Sequence, residues 1–181
     1  EARQIYGSII NSSRAFGIMV KDFVRTDNET ETAIIHQAII YRHFAWLTAL
    51  RYQLREVKSW ENVKTKSYNK EYLQYYKVPE WESNLNDELK NFLNEKELNY
   101  ILSTKNRATQ LIAKQSEAIK KLNQQGTISD YNYVALSNQL KDLYDQQGKC
   151  ERIKNFPYPR QFSSINIYFT NLFCILLPLG F

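Results

Sequence analysis

Hydrophobic positions recur at helical spacing along most of the chain. Over residues 1–25, Ile5, Ile9, Phe16, Met19, Val20 and Phe23 fall on one face, which predicts an amphipathic helix. Thr26-Asp27-Asn28 interrupts it, and Asn28 or Thr30 can cap a following helix whose first turn carries Glu29 and Glu31. That second helix is predicted over residues 29–57. Its Ile35, Ile39, Ile40, Phe44, Trp46, Leu47 and Leu50 cover most of the circumference, so neighbouring helices or another subunit must bury it. Arg42, Arg51 and Arg55 lie within it, and a central Arg is costly in lipid, so packing in a protein bundle is expected.

Residues 58–79 are rich in Tyr and Lys without a clean period. They predict a loop with a short helix over residues 69–76, ended by Pro79. Helical spacing returns over residues 84–102 through Leu85, Leu89, Leu93 and Leu98. Ser103-Thr104 is the expected cap of the next helix, which uses Ala108, Leu111, Ile112, Ile119 and Leu122 and closes at Gly126, a residue suited to the position after a helix end. Ser129-Asp130 caps a further helix with the stripe Tyr133, Leu136, Leu140, Leu143 and Tyr144, expected to run past Gly148 to Lys154. Phe156-Pro157-Tyr158-Pro159 then imposes an extended stretch.

Residues 161–181 carry no charge, and from Ile165 onward they are mainly apolar. A membrane-spanning helix needs about 20 such residues. The run is shorter, yet its lack of charge predicts the start of a transmembrane helix, against the alternative of a buried C-terminal helix in a soluble domain. Asn166, Thr170 and Asn171 share one side of it, which suggests a face toward other helices or water. Every Lys and Arg precedes it, with Arg152, Lys154 and Arg160 close to its start, and positive charge marks the cytoplasmic side. The expected organisation is therefore a cytosolic helical domain over residues 1–160 and a truncated transmembrane helix over 161–181. Because Glu1-Ala2-Arg3-Gln4-Ile5 already reads as helix interior, residues 1–25 are expected to continue from an upstream membrane helix. The fold class is all-α, a long-helix bundle.

Composition agrees with this picture. The 181 residues are 43% hydrophobic, enough for a core, and hold only 5 Gly and 4 Pro, too few turn residues for many short strands. The 13 Tyr suit half-buried core sites and interfaces. The net charge of +5 is spread among acidic neighbours, and basic pairs such as Lys64 and Lys66 are too short for a nucleic-acid arm, so nucleic acid is excluded as a partner. Cys150 sits beside charge and Cys174 in an apolar run, which argues against a disulfide and for reducing surroundings. The chemistry-bearing residues do not assemble into a catalytic, metal or cofactor motif. His36 and His43 are seven apart on one helix without a carboxylate at ligand spacing, and each is expected to make a polar contact in the bundle. No phosphate-binding Gly loop or nucleophile elbow occurs.

The C-terminal third is more specific. Gly148-Lys149-Cys150-Glu151-Arg152-Ile153, then Pro157-Tyr158-Pro159, Phe173-Cys174 and Leu176-Leu177-Pro178, resembles the signature of bestrophin-like channels. There a Gly-Cys-Glu-Arg-Ile stretch leads through a Pro-x-Pro kink into a membrane helix ending in Leu-Pro-Phe. Glu1-Ala2-Arg3, Gly7 and Ser13-Arg14 resemble the helix after that family's second membrane span. Gly126-Thr127-Ile128-Ser129-Asp130 resembles its turn between two cytosolic helices. The resemblance covers most of the chain and is weakest over residues 58–81. Two departures are Lys149, inserted between a Gly and a Cys that are adjacent in many members, and Leu179-Gly180 in place of the usual Phe.

The resemblance implies the cytosolic part of a homopentameric ion channel subunit in the cell membrane. Such channels typically pass chloride and other anions, and some bacterial members pass cations. The implied partners are further copies of the chain, small ions and the lipid bilayer, with no cofactor and no enzymatic reaction. It implies a cytosolic pore constriction at Tyr131, with Val134 one turn later as the alternative. A ring of tyrosines could narrow a pore and offer hydroxyls to an ion, whereas the plainer role for Tyr131 is packing at a subunit contact. Gly148, Cys150, Glu151, Arg152, Pro157 and Pro159 are assigned structural roles. A soluble interaction domain and a helical enzyme stay open as other classes.

Overall fold

The computed structural model describes residues 1–58, 71, 73–156 and 160–179. These residues form helices α1 (Ala2–Phe23), α2 (Glu29–Arg55), α3 (Pro79–Glu82), α4 (Leu85–Leu89), α5 (Glu95–Ser103), α6 (Arg107–Gln124), α7 (Asp130–Asn155) and α8 (Arg160–Leu176), followed by a 3-10 turn, Leu177–Leu179. Among the described residues there is no strand. The fold is all-α, as the periodicity predicts. Of the helix expected over residues 69–76, residues 69, 70 and 72 lie outside the described residues, as do the Lys64 and Lys66 pair, Pro157 and Pro159; residues 73–75 form a turn and residue 76 is irregular, so that helix is not formed over residues 73–76.

The long helices α1, α2, α6 and α7 pack as an antiparallel bundle in which α7 lies along both α1 and α6, and α2 along α6. Contacts fix the directions. Gln139 donates to the Ser12 carbonyl at 2.9 Å while Arg152 faces Glu1, so α1 and α7 run opposite ways. Gln147 reaches Thr109 near the start of α6, while Asn123 near its end reaches Asp130, so α6 and α7 form a helical hairpin. The bundle thus has two ends. One gathers the start of α1, the end of α2, the start of α6 and the end of α7, where α8 follows. The other holds the α1–α2 and α6–α7 turns.

The predicted stripes supply the core. Ile5, Ile9, Phe16 and Val20 of α1 are buried against Leu136, Leu140 and Leu143 of α7, Ala108, Leu111 and Ile119 of α6, and Ile39, Trp46 and Leu50 of α2. Each large side chain so buried contributes roughly 1.5–3 kcal/mol. Local signals set the helix ends. Asn28 caps α2, accepting from the Thr30 and Glu31 amides. The α6–α7 turn is a Schellman motif: Gly126 N–H donates to the Asn123 carbonyl and Thr127 N–H to the Leu122 carbonyl, both at 2.9 Å. Gly126 takes φ 75°, where a side chain would be strained.

Two expectations fail locally. The helix predicted over residues 84–102 is broken into α4 and α5, because Asn94 takes an extended conformation and caps α5 through the Glu97 amide. Leu89 and Leu93 remain buried across the break, so the apolar spacing survives without helix continuity. Ser103 and Thr104 do not cap α6: their hydroxyls turn back to the Tyr100 and Ile101 carbonyls of α5, and Asn106 caps α6 through the Thr109 amide.

Helix α8 differs from the rest. Residues 165–178 are all exposed, and its substantial packing is only onto its own 3-10 continuation. Among the described residues, no helix is long and apolar enough to cross a membrane.

Candidate functional site

Polar residues tie α2 to its neighbours inside the core. On α7 the buried stripe Leu136, Leu140, Leu143 continues in phase to Gln147, which is fully buried. Gln147 accepts from the Trp46 indole N–H at 2.8 Å and donates to Thr109 Oγ1 at 2.9 Å and Glu151 Oε1 at 2.7 Å. Glu151 Oε1 also accepts from Gln53 Nε2 at 2.9 Å and Asn106 Nδ2 at 3.3 Å. One carboxylate therefore joins α2, α6 and α7 at the end of the bundle from which α8 follows. On α6 the stripe Leu111, Ile119 is likewise interrupted by buried Gln115, which donates to the Ile39 carbonyl at 3.0 Å and accepts from Arg42 at 3.2 Å. Arg42 grips Glu97 of α5 with both arms of its guanidinium, at 2.5 and 3.1 Å. Such satisfied buried networks fix register, because sliding a helix by one turn would strand several polar groups.

The signature residues fall around this network. Glu151 is its hub. Cys150 is buried beside Tyr6, Leu54 and Ile153. Burial, and secondarily the Glu151 charge, push its thiol pKa up, which disfavours the reactive thiolate. Burial likewise pushes the Tyr6 hydroxyl up, with Cys150 contributing. Arg152 is exposed and reaches Glu1 at 3.8 Å. Gly148 lies on the exposed face of α7, with open space where a side chain would project.

The two histidines part company. His36 Nε2 bonds the Val24 carbonyl at 2.7 Å, the polar contact expected of it. His43 does not match that expectation. It is 6% exposed, sits between the rings of Phe16 and Trp46 at 5.2 and 5.3 Å, and its Nε2 has no partner among the described residues. Burial lowers its pKa to about 4, so the ring is neutral near pH 7. Among the described residues, no group of three or more His, Cys, Asp or Glu side chains could hold a metal ion.

Tyr131 and Val134 lie at the opposite end, in the first turns of α7, which Ser129 caps through the Asn132 amide. They share one face and are 90% and 54% exposed. The same face continues through Asn138, Lys141 and Asp145 to Lys149, so one long polar side of α7 begins with these two residues. The Tyr131 ring stands apart from the Glu151 network by most of the length of a helix spanning Asp130–Asn155.

An antiparallel helical bundle pinned by buried amides, with the apolar side chains of α8 exposed outside its core, defines an all-α protein among the described residues. The model of the Bacterial/Fungal Bestrophin protein family matches residues 1–181, and the chain belongs to that family. It is similar to the "Voltage-dependent anion channel-forming protein YneE" of Salmonella typhi, 30% identical over 90 residues, which are 50% of this chain and 30% of that protein. The protein of the same name from Escherichia coli K12 is 28% identical over 90 residues, with the same coverage. A crystal structure of a bacterial Bestrophin homolog from Klebsiella pneumoniae superposes with a TM-score of 0.74 at 22% identity, over 98% of this chain and 55% of that one. At that identity the likeness is one of fold. The chain spans about half the length of that structure, and its match covers under a third of the YneE proteins.

Proposed function

We propose that this chain is the cytosolic part of a membrane ion-channel subunit, working as a homopentamer that passes chloride or other small anions down their gradient. The observation that carries the proposal is the family match over the whole chain, together with relatives named as anion channel-forming proteins. In this reading residues 1–160 face the cytoplasm and residues 161–181 enter the bilayer. The exposed, uncharged face of α8 supports the latter, since Ile165, Ile167, Phe169, Leu172, Phe173 and Ile175 find no cover in the bundle. Glu151 and its partners hold the end nearest the bilayer rigid. Tyr131, or Val134 one turn on, forms the cytosolic aperture at the far end. Its 90% exposure leaves its ring free to meet its counterparts around a symmetry axis.

The test is current through planar bilayers containing the full-length protein. Anion-selective current is expected, and Tyr131→Ala is expected to change conductance or selectivity. Absence of current would remove the channel reading. Current identical in the variant would remove the aperture role and leave the channel intact.

A further inference from the structure

A cleft of about 430 Å³ opens at the end of the bundle where α8 follows, lined by Tyr52, Arg55, Glu56, Glu80, Trp81, Thr104, Lys105 and Arg107 among others. Its charges are unbalanced. Glu80 is engaged by Arg51 at 3.1 Å and Glu56 by Lys58 at 2.8 Å, neither cation lining the cleft. The side chains of Arg55, Lys105 and Arg107, in contrast, form no ion pair or hydrogen bond among the described residues, and Arg107 Nε is buried without a partner. Burying a guanidinium N–H unpaired costs free energy that packing alone does not return. The placement is unfavourable in a second way. Lys105 and Arg107 flank the start of α6, the positive end of the helix dipole, and α6 has no acidic residue in its first turn, whereas α2 to α5 and α7 all do. An anion in the cleft would balance its surplus of positive charge and the positive helix end beside it.

We propose that this cleft binds a phosphate-bearing anion through Arg55, Lys105 and Arg107. Arginine forks match phosphate oxygens two at a time, and the cleft is far larger than a single halide needs. A free phosphate monoester and the headgroup of an anionic phospholipid share this chemistry. Trp81 and Tyr52 also line the cleft, the kind of aromatic side chains that settle at headgroup depth. The lipid source alone rests on α8 entering the bilayer.

The full-length protein in detergent provides the test. Its unfolding temperature is followed at constant ionic strength against inorganic phosphate and against dihexanoyl phosphatidylglycerol. Sodium chloride and dihexanoyl phosphatidylcholine serve as controls. A saturable rise with phosphatidylglycerol or phosphate is expected in the wild type. Each cation removed in Lys105→Gln and Arg55→Gln is expected to weaken apparent affinity roughly tenfold, and Lys105→Gln with Arg107→Gln roughly a hundredfold. A response to both ligands assigns the site to soluble phosphates, and a response to phosphatidylglycerol alone assigns it to lipid. No rise above the controls, or wild-type affinity in Lys105→Gln and Arg55→Gln, overturns the proposal. Because Lys105 is exposed and unbonded, its variant tests the site even if Arg107→Gln does not fold. Bilayer currents are a separate measurement, so failure of the channel reading leaves this result legible.

Discussion

The two ends of the bundle are held in different ways. At the far end the chain closes on itself within a few residues: the Gly126 turn, the Ser129 cap and the Asn28 cap bond groups no more than five residues apart. At the end next to α8, the Glu151 carboxylate and Gln147 join residues 38 to 101 positions apart. A locally closed end can present an exposed ring such as Tyr131 without relying on it. A long-range hub holds helices together and fails as a unit. Substitutions at the two ends should therefore separate stability from surface function.

The largest effect is expected at the hub. Glu151→Ala leaves amide donors of Gln53, Asn106 and Gln147 without their acceptor in partly or fully buried positions. The expected loss is about 2–4 kcal/mol, read by denaturant unfolding of the full-length protein in detergent. A loss below about 0.5 kcal/mol would mean that the network does not hold this end.

Next comes His43, in the middle of the bundle. Its pKa is about 4 in the folded chain against 6.5 when unfolded, because burial disfavours the charged ring. Between those values the unfolded chain binds the proton and the folded one does not, so stability falls as pH drops from about 6.5 toward 4. His43 accounts for a loss of about 3 kcal/mol over that window, complete below pH 4 and absent above 6.5. His43→Leu should flatten the slope, measured as unfolding midpoints from pH 7 to 4. An unchanged slope would assign the pH dependence to other groups.

The glycines compare the ends at smaller scale. Gly126→Ala puts a side chain at φ 75° and should cost roughly 1–2 kcal/mol. Gly148→Ala is in a helix interior with open space around it and should gain roughly 0.5–1 kcal/mol in the isolated subunit. Should the assembled protein lose stability instead, a neighbouring copy occupies that space. The measurement is unfolding before and after dissociation of the oligomer.

The same contrast explains what could be read from sequence. Apolar stripes and caps are local, so α1, the Asn28 cap, the Gly126 turn and the run of α7 past Gly148 follow from spacing and residue type. The break between α4 and α5 does not, because Leu89, Leu93 and Leu98 keep helical spacing while Asn94 restarts the backbone. Nor do the polar pins. Trp46 and Gln147 are 101 positions apart, and nothing in a single sequence pairs them. Their trace was present nonetheless: Gln115 and Gln147 each occupy a core phase in a stripe otherwise made of Leu, Ile, Ala and Cys. A polar residue in such a phase must find a partner. Glu151 stood out only within a signature, and its role as acceptor for side chains of α2, α6 and α7 required the folded geometry.

The smallest effect on stability is expected at the residue proposed to matter most for ions. Tyr131 is 90% exposed, and its ring buries almost nothing within the subunit. Tyr131→Ala should shift the unfolding free energy of the subunit by no more than about 0.5 kcal/mol. An aperture formed by tyrosines of several copies around a water-filled axis would keep that result in the assembly, because rings facing a pore lose little water. A ring packed against a neighbouring copy would not: removing it would expose apolar surface and loosen the oligomer by about 1–3 kcal/mol per contact. Oligomer dissociation measured for wild type and Tyr131→Ala, beside the conductance of each, therefore separates the two roles. Unchanged assembly with altered current assigns Tyr131 to the pore, and weakened assembly with unaltered current assigns it to the subunit contact.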